Sequence, residues 1–126
     1  MNDFIFDPAK ESYINLITYR KTGVEVKTPV WIAQYMDNYY VFSESKAGKV
    51  KRIRNNGQVK MAACDVKGKV KSEWIEGHAS IITDEDEIKG MYRAFDKKYT
   101  WQTRSLNFIA KISGRFNRRA ILKIVI

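Results

Sequence analysis

Short apolar or β-branched runs alternate along this chain with turn signals, and that hairpin rhythm confines it to a mainly antiparallel β architecture. Tyr13–Tyr19 (YINLITY) reads as a strand, Lys21-Thr22-Gly23 as a turn, and Val24–Met36 as a second strand. The even positions of that second run (Val24, Val26, Thr28, Val30, Ile32) make a mostly apolar face at period two. Its odd positions mix Glu25 and Lys27 with Trp31 and Tyr35, so the other face is wet at first and covered later. Pro29 cannot donate to a ladder and demands a bulge, a bend or an edge. Asp37-Asn38 turns the chain into a third strand, Tyr39–Ser43. Val59–Val66 and a long Val70–Ile82 pair about Lys67-Gly68, and Arg118–Ile126 (RRAILKIVI) is the last strand.

Helices are few. Pro8–Ser12 is a short helical stretch with proline near its start. Thr83–Tyr99 is the long helix: Asp84 and Glu87 form a capping-box-like start, and Ile88, Met91, Tyr92, Phe95 and Tyr99 share one face. Lys97 and Lys98 suit its negative end. A third helix follows Tyr39–Ser43 and stops near Asn55-Asn56-Gly57. Residues 100–117 show no clean period. The sum is a small six-stranded β-barrel decorated by one long and one or two short helices, in a single domain spanning 1–126.

Composition limits the partners. Lys and Arg number 23 against 14 Asp and Glu, a net charge of +9, which favours an anionic partner without choosing among nucleotide, nucleic acid, membrane surface or acidic metabolite. The lone Cys64 excludes an internal disulfide framework. No apolar run approaches the roughly 20 residues of a membrane span. The N-terminus lacks a signal-peptide pattern, so a cytoplasmic protein is expected.

The cations concentrate after the third strand. In SESKAGKVKRIRNN, residues 43–56, five of the nine positions from Lys46 to Arg54 are basic. Ser45 is a plausible N-cap, and Val50 and Ile53 give the helix an apolar stripe. Lys46 and Lys49 in a first turn repel the positive end of the helix dipole, an arrangement that makes sense if an anion sits there. Backbone N–H groups, serine hydroxyls and two or three cations together describe a phosphate cradle. The plainer alternative is a solvated basic face. Just before the preceding strand, Thr28-Pro29-Val30-Trp31 offers bent backbone and an aromatic neighbour for the edge of a flat ring; packing at a subunit interface is the competing role for Trp31.

Other chemistry is thinly supported. The single histidine, His78, lies in a strand-like run without a serine or thiol at informative spacing. Cys64 reads as a core thiol. Asp84–Glu87 is the one acidic cluster, and the helix start accounts for it, so no metal site is expected. Neither GxGxxG nor a Walker-type loop occurs. A nucleic-acid-binding barrel fits the charge, but no platform of exposed aromatics accompanies it.

The order TYRKTG, KTPVWIA, VFSESKAGKVKRIRNN, VKMAACDVKGKV, IEGHASIITDEDE resembles the pyridoxamine 5′-phosphate oxidase-like proteins, and within them the branch of deazaflavin (coenzyme F-420)-dependent enzymes. The resemblance runs from about Tyr13 to Tyr99. It implies an FMN-binding split barrel that forms a homodimer with cofactor sites in the clefts between protomers. Carried onto this sequence, it implies that Ser43, Ser45, Lys49 and Arg52 hold the cofactor phosphate with Lys46 and Arg54 nearby, and that Thr28, Pro29, Val30 and Trp31 line the ring. FMN and the deazaflavin both present a phosphate and a flat ring; the basic tract Arg104–Arg119 suits the acidic tail of the latter. The expected function is a flavin- or deazaflavin-dependent oxidoreductase moving hydride between cofactor and a small substrate. The alternative is a flavin- or haem-binding storage protein of the same fold.

Overall fold

The computed structural model describes residues 7–44, 46–99 and 119–126. Asp7 caps a 3-10 turn, Pro8–Lys10, by accepting the Ala9 N–H at 2.9 Å. Seven strands and two α-helices follow: β1 (Ile14–Tyr19), β2 (Glu25–Val30), β3 (Ala33–Tyr35), β4 (Asn38–Glu44), α1 (Gly48–Asn55), β5 (Gln58–Ala63), β6 (Ile75–Ile82), α2 (Glu85–Lys98) and β7 (Arg119–Val125). The strands form one antiparallel sheet in the order β2-β1-β5-β6-β7-β4-β3.

That order dictates the curl of the sheet. A flat seven-stranded sheet would hold its outer strands roughly 29 Å apart at ~4.8 Å per strand. Yet β2 and β3 occupy the two ends and are joined only by Trp31 and Ile32, a connection that spans at most about 11 Å from Val30 to Ala33. The sheet must bend round until its edges nearly meet. The result is a half-barrel.

The expected six strands are therefore seven. Val24–Met36 is not one strand: Glu25–Val30 pairs with β1, whereas Ala33–Tyr35 pairs with β4. Pro29 is accommodated because β2 is an edge strand. The even side chains of the run are the better buried ones, ending in Val30 and Ile32, although Val24 is 55% exposed. The expected Val70–Ile82 strand is also shorter. Val70 makes a single bridge to Cys64, and the ladder starts only at Ile75. In between, Asp65 accepts the N–H groups of Lys67 and Lys69, Gly68 takes φ +90°, and Asn15 donates to the Gly68 carbonyl across β1. This loop ties its polar backbone down locally, with Val66 and Val70 left outward.

Both faces of the sheet are packed. Inside, Ile14, Leu16, Val41, Val59, Met61, Leu122 and Ile124 meet Val50 and Ile53 of α1, which plugs the barrel. Outside, Ile88, Met91, Phe95 and Tyr99 lay α2 against Ala33, Tyr40 and Ile121. Asp84 caps α2 by accepting the Glu87 N–H at 2.8 Å. The Glu87 carboxylate does not return the capping-box contact; it accepts the Tyr40 hydroxyl at 2.5 Å and pairs with Lys123 at 3.0 Å, and both donors hold it below the usual glutamate range.

The end of α2 fastens the connection between the sheet edges. Trp31 stacks on Tyr99 at 4.5 Å between centroids and 6° between planes. The Tyr99 hydroxyl accepts the Ile32 N–H at 3.1 Å and donates to the Ser12 carbonyl at 2.9 Å. Lys98 donates to the Ile32 carbonyl at 2.6 Å and the Pro8 carbonyl at 3.3 Å. Tyr99→Phe orphans a buried N–H, so urea unfolding should show a loss of about 1–3 kcal/mol; an unchanged midpoint and slope would rule out this anchor.

Burial also pulls the Lys98 ammonium from 10.5 down to about 8 against the opposing pull of Asp7 and Glu11. Between those values the unfolded chain binds more protons than the folded one, so Lys98 makes stability rise with pH over that window. The Tyr99 hydroxyl, raised to about 12 by burial, stays protonated there. Urea titrations at pH 7.5 and 9.5 should show a rise that Lys98→Met reduces; identical pH dependence in the two proteins would contradict this assignment.

Candidate functional site

The cations gather where α1 enters the barrel mouth. Val50 and Ile53 must point inward, so Lys49 and Arg52, one turn apart, come to the same rim. Arg52 donates from Nε to the Thr18 hydroxyl of β1 at 2.6 Å. Thr18 continues the inward face of Ile14 and Leu16, placing a hydroxyl where the apolar face ends. Burial lowers the Lys49 pKa and Arg52 lowers it further; burial lowers that of Arg52 too, with Arg20 adding repulsion. Three cations and one hydroxyl thus share this rim.

Among the described residues, no carboxylate forms an ion pair with Lys49, Arg52 or Arg20. The pairs present engage other lysines: Lys60 with Glu25 at 3.6 Å, Lys71 with Glu11 at 3.6 Å, and Lys123 with Glu87. Gly48 leaves room for the guanidinium, because a Cβ at that position would stand 2.7 Å from Arg52 Nη1. The helix begins later than expected. Its N-cap is Ala47, which provides no side-chain hydrogen bond, and Lys46 lies exposed in the turn before it rather than in the first turn. Ser45 falls outside the described residues. The donor set of cations, a hydroxyl and an uncapped helix start fits a phosphate group.

The remaining expected site residues divide. Ser43 is buried on the inward face of β4. Arg54 is exposed and, two residues beyond Arg52, lies on the far side of α1 from the Lys49–Arg52 ridge. Thr28 is half-buried on the same face of β2 as Val30, while exposed Pro29 faces the opposite way, its Cγ 3.0 Å from where a Gly68 Cβ would lie. Val30 belongs to the inner core. Trp31 does point opposite the buried even set, but Tyr99 already covers one of its faces. Thr18 pairs with Val26, two residues along β2 from Thr28, so the cation rim and Thr28 are separated by roughly 7 Å of strand. Thr18 and Arg20 were not anticipated. The polar interruption at the end of INLITY was the available signal for Thr18. Of the basic tract 104–119, only Arg119 is described, and it sits over the Phe42 ring at 4.8 Å rather than free in solvent.

Elsewhere the chemistry is plain. Cys64 is buried, and burial raises its thiol pKa. His78 is exposed on β6. Among the described residues, no three His, Cys, Asp or Glu side chains cluster to hold a metal, and no helix is long and apolar enough to cross a membrane.

Neither a protein-family profile nor a curated protein matches the chain by sequence. The fold is far better represented, with 46 solved chains matching. A pyridoxamine 5′-phosphate oxidase-like protein of Listeria innocua superposes with a TM-score of 0.64 at 15% identity, over 94% of this chain and 86% of its own. HutZ, the haem storage protein of Vibrio cholerae, gives 0.65 at 12% identity over 93% and 82%. A FAD-binding protein of Mesorhizobium loti gives 0.63 at 15% identity over 94% and 81%. The architecture is the split barrel of the pyridoxamine 5′-phosphate oxidase-like proteins.

Replacing Gly48 with alanine should displace the Arg52 guanidinium while favouring the helix by up to about 1 kcal/mol. The thermal midpoint of the natural protein should rise with added inorganic phosphate, and that of Gly48→Ala should rise less. Equal increments would remove Arg52 from the anion site.

Proposed function

We propose that the chain is a flavin- or deazaflavin-dependent oxidoreductase, working as a homodimer whose cofactor clefts lie between protomers, on a small electrophilic substrate. The supporting observation is the barrel-mouth cluster of Lys49, Arg52 and Arg20 with the Thr18 hydroxyl, cations without a carboxylate partner among the described residues. The resemblance of TPVW and SKAGKVKRIR to the same group of proteins also supports it.

In this reading Lys49 and Arg52 bind the cofactor phosphate by charge-assisted hydrogen bonds, Thr18 orients the guanidinium, and Arg20 adds long-range attraction. The resemblance would add Ser43, Ser45, Lys46 and Arg54 to the phosphate-binding set. Thr28, Pro29 and Val30 present bent edge-strand backbone to the ring, and Trp31, braced by Tyr99, limits how far the ring can slide. A bound flavin or deazaflavin supplies the hydride chemistry, and the protein contributes orientation, electrostatics and exclusion of water. No side chain is assigned as an acid or base. FMN and the deazaflavin are the two candidate cofactors.

Charge-assisted hydrogen bonds contribute ~1.5–3 kcal/mol each, so Lys49→Ala should weaken FMN or deazaflavin binding by about 10- to 150-fold. Fluorescence titration of both proteins with each cofactor measures this. A dissociation constant unchanged by the substitution would take Lys49 out of the site.

The fold shared with the HutZ haem storage protein favours a second reading, in which the pocket binds without turnover. Haem titration followed by absorbance, set beside reduction of the bound flavin by a reduced nicotinamide, separates the two. A tight haem complex with no flavin reduction would select storage.

A further inference from the structure

A second cleft lies on the far side of the sheet from α1, where the first half of α2 crosses β6 and β7. Ile82, Thr83, Glu85, Ile88, Tyr92, Arg119 and Ile121 enclose about 220 Å³ there. Three isoleucines make the walls apolar. Two charged residues line this hollow, Glu85 and Arg119; Arg119 is half-buried at the start of β7, opposite Glu44 of β4, with its guanidinium held over the Phe42 ring at 4.8 Å. Its Nε is buried without a hydrogen-bond partner, and among the described residues Arg119 makes no ion pair, although Glu85 lines the same hollow. Burial raises the Tyr92 phenol pKa while the Arg119 charge lowers it, so the two groups are electrostatically close and the phenol is a neutral hydroxyl at ordinary pH.

We propose that this cleft binds a small carboxylate with an apolar body, the carboxylate on Arg119 and the body among Ile82, Ile88 and Ile121. The hollow is open to solvent on one side, and its volume of about 220 Å³ is room enough for a single ring with its carboxylate. The site is separate from the phosphate cradle: α1 fills the inside of the barrel and this cleft opens on the outside. The buried Arg119 Nε is costly to leave without an acceptor, and a carboxylate supplies a planar, two-oxygen match to the edge that carries it.

Titration of the purified protein with 4-fluorobenzoate, followed by fluorine NMR, tests this. One molecule should bind per chain, and 4-fluorobenzyl alcohol, of the same shape without the charge, should bind at least 10-fold more weakly. Arg119→Gln should weaken 4-fluorobenzoate by roughly 10- to 150-fold, Arg119→Lys by less, and Lys49→Ala should leave it unchanged. Equal binding of acid and alcohol to the natural protein would overturn the assignment without any variant. Displacement of the probe by inorganic phosphate, or its loss in Lys49→Ala, would overturn it as well by putting the probe on the barrel-mouth cations.

Discussion

Two residues, Trp31 and Ile32, carry the chain from one edge of the sheet to the other, and this short connection governs the architecture. It forces the seven strands to curl, because nothing flatter brings β2 and β3 so near one another. Such a connection puts backbone polar groups at a buried crossing, where each must find a partner. Tyr99 and Lys98 meet that need for Ile32 with contacts at 3.1 Å and 2.6 Å. The helix that carries them is itself fixed by Asp84 at its start and by Glu87 to Tyr40 and Lys123 of the sheet. The outer helix is therefore more than a cover for apolar surface: it fastens the point at which the barrel closes.

The curl creates an inside that strands alone do not fill, and α1 fills it. With Val50 and Ile53 committed to the core, helical geometry leaves Lys49 and Arg52 at the rim, and Thr18 of β1 gives the guanidinium a fixed partner. The concentration of charge is thus a consequence of packing, and among the described residues its lack of carboxylate partners distinguishes it from the paired lysines elsewhere. A merely solvated basic face would leave its guanidinium in water; this one is drawn back over Gly48 onto the barrel wall.

Much of this was legible in the residues. Alternation located β1, β4, β5 and β7, the capping pattern located the start of α2, and its apolar stripe named the side chains that bury it. The missing N–H of Pro29 left a bulge, a bend or an edge open, and the sheet order makes it an edge. What alternation could not reveal was that Val24–Met36 changes partner midway. Both halves are extended and Val30 and Ile32 remain apolar throughout, so the break lies in the topology and leaves no mark in the period. The length of the Val70–Ile82 strand was overstated for the opposite reason: β-branched residues occur at Val66 and Val70, but Asp65 captures the local N–H groups before a ladder can form. In the candidate site, the run of cations drew attention to Lys49 and Arg52, whereas Thr18 and Arg20 are distant in sequence and became neighbours only through the fold.

Arg119 illustrates the same division from the other side. In sequence it is one more cation in a basic tract, equally suited to solvent or to an acidic ligand. In the fold its strand alternates Ala120, Leu122 and Ile124 inward, so Arg119, Ile121 and Lys123 all face α2. Lys123 meets Glu87 on that face and is neutralised. Arg119, two register steps away and beyond the reach of that carboxylate, lies over an aromatic ring, which attracts a cation without neutralising it. One face of β7 thus holds a lysine paired with a carboxylate and an arginine whose Nε has no acceptor. Lys123 reaches a carboxylate on α2, whereas Arg119, with Glu44 opposite it in the β4 register and Glu85 in the same hollow, keeps its Nε without an acceptor.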